Sequence, residues 1–122
     1  MNSFEELEVW KVSRTLRISI WKLTKTFPKD EMYRLTNQLI RASRSVPAHI
    51  AEGFGRFHFQ ENIQFCRQAR GSLFEILEHI ICAYDNEFIN EKEYQDYRNQ
   101  IFNCIKILNG YIFYLKKANE TS

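Results

Sequence analysis

Four long stretches of the chain carry apolar residues at steps of three and four, the spacing that lines one face of an α-helix. From about Glu6 to Phe27 the stripe is Val9, Val12, Leu16, Ile20, Leu23 and Phe27. A second starts near Glu31 and runs through Leu35, Leu39, Ala42, Val46, Ile50 and Phe54. A third, about Phe59 to Asp85, carries Phe59, Ile63, Cys66, Ala69, Leu73, Ile76, Ile80 and Ala83. The fourth, about Glu91 to Lys117, is the most regular: Tyr94, Tyr97, Ile101, Cys104, Leu108, Tyr111 and Leu115 alternate steps of three and four, the seam of a helix packed nearly antiparallel to its neighbours. A second row, Phe102, Ile105, Ile112 and Phe113, widens that face. No stretch alternates at period two for long enough to make a strand. Each helix can bury its stripe only against the others, so the expected architecture is all-α, one up-and-down antiparallel four-helix bundle over residues 1–122.

The breaks between stripes are short. Pro28 ends the first helix, and Asp30 is placed to cap the second. The segment from Ser45 to Arg56 holds Pro47, Gly53 and Gly55, and predicts a second helix kinked or ended there, with the glycines supplying the left-handed residue at its end. Gly71, inside the third stripe, predicts a close approach of another group to the backbone. Tyr84 to Asn90 forms the last connection, and Asn90 with Glu93 outlines a capping box. The tail from Ala118 to Ser122 is polar and expected to fray.

Four glycines and two prolines in 122 residues leave room for few turns, in keeping with long elements. Charge divides the chain: residues 1–70 carry twelve Lys and Arg against seven Asp and Glu, residues 71–122 five against eight. A basic half is either a surface for nucleic acid or the complement of the acidic half. Cys66, Cys82 and Cys104 form no C-x-x-C pair and sit in helical contexts, the pattern of reduced thiols in a cytoplasmic protein. The acidic start, Met1 to Glu6, lacks an apolar leader, and no apolar run is long enough for a bilayer, so no membrane association is expected.

No enzyme chemistry emerges. A di-iron bundle needs Glu-x-x-His pairs, and no acidic residue precedes a histidine by three. His79 and Cys82 are two potential ligands without a second pair. Cys66 lies on the apolar stripe, where a thiol is packing, and Glu75 with Glu78 fits a solvated face or an interhelical ion pair better than an acid–base couple. Gly53-Phe54-Gly55 lacks the Gly-Lys-Ser/Thr ending of a phosphate loop. His49 and His58 flank the turn segment as polar turn contacts or exposed side chains. No catalytic residue, metal or cofactor is expected.

Binding is better represented. Trp10, Ile18 and Trp21 lie off the first stripe and give that helix a second apolar surface, suited to a subunit contact. Arg34 and Arg41 are seven apart, with Arg44 a turn further, a spacing that can follow a phosphate backbone; arginines are equally good helix formers on a wet face.

Leu7-Glu8-Val9-Trp10, the break at Leu23 to Pro28, the segment Ser45 to Arg56, and Ala69-Arg70-Gly71-Ser72-Leu73-Phe74-Glu75 together resemble the bacterial four-helix bundle proteins encoded in intervening sequences of 23S ribosomal RNA genes. The resemblance extends from about Phe4 to Leu115, and departs at His49, where that family usually has Asn. The family is similar in turn to the accessory protein of diversity-generating retroelements. The resemblance implies a homopentamer with a basic surface expected to bind RNA or DNA, and no established enzymatic activity. Lys11, Arg14, Arg34, Arg41, Arg44 and Arg56 are the candidate phosphate contacts, and Trp10, Ile18, Trp21, Ile50, Phe54 and Gly55 the candidate oligomer interface. The alternative is an assembly scaffold that binds another protein and no nucleic acid; salt dependence separates the two.

Overall fold

A computed structural model describes residues 2–122; Met1, the first residue of the acidic start, lies outside the described residues. Four α-helices, α1 (Glu8–Thr24), α2 (Leu35–Gly55), α3 (Phe59–Asp85) and α4 (Glu91–Thr121), pack in antiparallel adjacent pairs, with no strand among the described residues. Short 3-10 turns at Phe4–Glu6 and Lys29–Glu31 precede α1 and α2. The four stripes meet in one core: Leu16, Ile20, Leu39, Val46, Ile50, Leu73, Ile76, Ile80, Ile101 and Leu108 are wholly or almost wholly buried. Burying side chains of that size contributes roughly 1.5–3 kcal/mol each, the main force holding the helices together.

The α3 boundaries and the capping box of α4 agree with the sequence reading. The Asn90 side chain accepts from the Glu93 amide at 2.8 Å, and Glu93 accepts from the Asn90 amide at 3.0 Å. Three other expectations are corrected. α2 begins at Leu35 rather than Glu31, and Asp30 does not cap it: the intervening 3-10 turn brings Glu31 into reach, and its carboxylate accepts from the Leu35 amide at 3.4 Å. α4 continues through the expected frayed tail to Thr121, aided by the Thr121 hydroxyl donating to the carbonyls of Lys117 and Ala118. Neither Gly53 nor Gly55 is left-handed. α2 runs through Pro47 and Gly53 and ends at Gly55, within the segment where its end was expected, and the left-handed residue after it is Phe57, with φ 53°.

The glycine that a close approach requires is Gly53. A Cβ there would lie 2.7 Å from Asn62 Oδ1 and 2.9 Å from Phe65 Cβ, so its absence lets α2 and α3 meet just before and just after the turn that joins them. Gly71, expected to serve that purpose, has open space around its would-be Cβ and faces outward. α3 ends in a Schellman motif, in which the Phe88 amide donates to Ala83 and the Glu87 amide to Tyr84, with Glu87 at φ 62°.

Candidate nucleic-acid interface

The basic half of the chain becomes a surface because α1 and α2 lie side by side. Between Val9 and Lys29 the sequence has six Lys and Arg and no acidic residue, and Glu52 is the sole carboxylate within α2. Along the α1–α2 seam a cleft of about 250 Å³ is lined by Arg17, Ile18, Trp21, Ile40, Ser43 and Arg44. Trp21 and Ile40 also wall an adjoining hollow that reaches Lys25, Lys29 and Met32. The two hollows, together the α1–α2 groove, adjoin at Trp21 and Ile40, with Arg17 and Arg44 lining the first and Lys25 and Lys29 the second. Lys25 Nζ sits 4.0 Å from the centre of the Trp21 ring, whose side chain is 44% exposed. No carboxylate among the described residues pairs with Arg17, Lys25, Lys29 or Arg44.

The other expected phosphate contacts are dispersed. Arg34 N-caps α2 and lies 3.9 Å from Glu31. Arg56 follows the far end of the same helix, paired with Glu52 at 3.6 Å and lying over the Phe65 ring. These two residues are separated by the length of α2, about 32 Å. Arg41 is taken up by an ion pair with Glu75 of α3 and a 3.0 Å bond to Gln38. Arg14 packs over Trp10, whose ring meets Phe4 edge-on, and Lys11 is exposed on α1. Of the six residues, Arg44 alone joins the groove. Arg17, Lys25 and Lys29 are not among the residues that the sequence assigns to phosphate, and the unbroken absence of acid from Val9 to Lys29 is the signal that marks them.

Among the expected interface residues, Ile18 and Trp21 belong to this groove. Gly55 is exposed and Phe54 half-buried, at the opposite end of α2. Ile50 is corrected: at 0% exposure it belongs to the core of its own chain, because the step of four that extends the stripe points inward there. Trp10 is half-buried beneath Arg14 and beside Phe4.

Most of the other residues weighed for chemistry have structural partners, with His49 the exception. His79 Nε2 lies 3.1 Å from Glu75, so Glu75 ties Arg41 of α2 to α3 as an interhelical ion pair. Burial pushes the Glu75 carboxyl up, and the hydrogen bonds from His79 and Arg41 outweigh it, holding the group below its usual range. Cys66 and Cys104 are buried free thiols pushed up to about 12 by burial, unfit as nucleophiles. His58, expected as a turn contact or an exposed side chain, is exposed and caps α3 by accepting from the Glu61 amide at 3.5 Å. His49 lies within α2 rather than at a turn, against Phe65, and its Nδ1 is buried without a partner among the described residues. No cluster of three or more His, Cys, Asp or Glu suited to a metal occurs among the described residues, and no helix is long and apolar enough to cross a membrane.

Fold and surface together define a small antiparallel four-helix protein with one basic, aromatic seam. The 23S rRNA-intervening sequence protein family matches residues 5–110, and the chain belongs to that family. A crystal structure of a protein of unknown function from the S23 ribosomal protein family of Bacteroides thetaiotaomicron shares the fold. It superposes with a TM-score of 0.79 over 85% of this chain and 97% of that one, at 20% identity. No curated protein matches the chain.

Proposed function

We propose that this protein is a non-enzymatic, oligomeric nucleic-acid-binding protein whose α1–α2 groove takes a phosphate backbone and stacks an unpaired base on Trp21. The observation that supports this is the set of unpaired cations, Arg17, Lys25, Lys29 and Arg44, around an exposed indole. Cations without carboxylate partners are free to neutralise phosphates and release the counterions condensed on the backbone, and aromatic faces accept any base. Self-association, as the pentamer that the family resemblance implies, would repeat the groove around a ring and multiply a weak contact by avidity.

A second reading has its own support. Residues 71–122 carry the acidic excess, so the groove of one copy could meet the α3–α4 half of the next, a heterologous contact of the kind that closes rings. Light scattering after size exclusion, with and without an RNA hairpin and at two salt concentrations, separates the readings. The nucleic-acid reading expects a salt-sensitive gain in mass on an oligomeric particle. A particle that ignores RNA and dissociates on Arg17→Glu assigns the groove to the subunit contact instead.

A further inference from the structure

We infer that the open end of the bundle holds a second site, a pocket for a neutral, planar heteroaromatic molecule. The starts of α1 and α3 and the ends of α2 and α4 enclose a cavity of about 470 Å³ there, within the range of roughly 300–1,000 Å³ common to small-molecule sites. Its walls are aromatic: Phe54 and Phe57 at the end of α2, Phe59 at the start of α3, and Tyr111 and Tyr114 of α4, which stack at a centroid distance of 6.3 Å. Five ring faces around one hollow favour a flat guest over a branched one. No Asp, Glu, Lys or Arg lines it, and His58 is engaged in capping α3, so nothing there would balance a charged ligand.

The Tyr111 hydroxyl gives the pocket direction. Asn62 Nδ2 donates to the Tyr111 hydroxyl at 3.2 Å, so that oxygen accepts, and its own proton has no acceptor among the described residues. Burial holds the Tyr111 phenol above its ordinary value, which keeps the proton in place at neutral pH. The guest is therefore a ring with a hydrogen-bond acceptor on its edge. Phe57 supports the assignment from the rim: it is 87% exposed and held at φ 53°, a conformation that bulky residues rarely adopt and that recurs where a ligand is met. This site is remote from the Arg17–Arg44 groove and does not depend on nucleic-acid binding.

Titration calorimetry of the full chain with quinoline, whose ring nitrogen accepts, and indole, which only donates, tests the inference. Quinoline should bind more tightly by about three- to tenfold, the range that one net hydrogen bond supplies. That preference should vanish in Tyr111→Phe. Quinoline should weaken several-fold in Tyr114→Ala, a residue 63% exposed and so dispensable for folding, and should be unaffected by Phe113→Ala outside the pocket. Absence of quinoline binding at millimolar concentration, a preference that survives Tyr111→Phe, or an unchanged affinity in Tyr114→Ala overturns the inference.

Discussion

Gly53 shows how a single missing methyl positions two helices. The Cβ of alanine there would meet Asn62, itself held by Tyr111, and the Cβ of Phe65, which cannot swing aside. Gly53→Ala should therefore cost about 1–3 kcal/mol through overpacking, seen as a lower urea midpoint at unchanged slope. Gly71→Ala, with open space around it, should instead stabilise by about 0.5–1 kcal/mol. The sequence could not distinguish these glycines, because helical spacing says where a residue points and not what stands opposite. The left-handed turn after α2 was equally hidden: glycine is the usual occupant, yet Phe57 takes it. Cysteine placement was legible, since Cys66 and Cys104 sit on apolar stripes. With both thiols pushed up to about 12 by burial, they should resist iodoacetamide at pH 8 in the folded protein and react on unfolding, as mass spectrometry would record.

Helix identity and the α3 and α4 starts were readable because their periodicity and caps are local. Connections such as Lys29–Glu31 depend on which side chain the turn brings to a free amide, so Glu31 displaced Asp30. The clearest link between elements beyond the core is Glu75, which binds His79 on its own helix and Arg41 on α2. Its folded carboxyl lies below the unfolded value, so its contribution is complete above the unfolded carboxylate range and is lost as pH falls through the folded value. Chemical denaturation across that acid range should show Glu75→Gln losing less stability on acidification than the wild type. An identical acid limb in the two proteins would remove Glu75 from the account. Arg41→Gln should cost about 0.2–1 kcal/mol, as partly exposed pairs do.

Across the whole molecule, the four-helix architecture follows from the stripes alone, whereas the site does not. Arg34, Arg41 and Arg44 read as one row in sequence, and folding sends them to a helix end, an ion pair and a groove. The groove unites residues of two helices, Arg17 and Trp21 with Ile40 and Arg44, a pairing that no single-helix pattern reveals. It also merges surfaces that the sequence assigned to separate tasks, since Trp21 was expected to bind a subunit and Arg44 a phosphate. The central claim is that this groove neutralises phosphates, and its most direct test is the salt dependence of RNA-hairpin affinity in the wild type and in Arg17→Gln/Arg44→Gln. The slope of log affinity against log salt should be shallower in the double variant by about 1.4–1.8, two phosphate contacts' worth. Equal slopes with equal affinities would contradict the account and leave the groove to a protein partner.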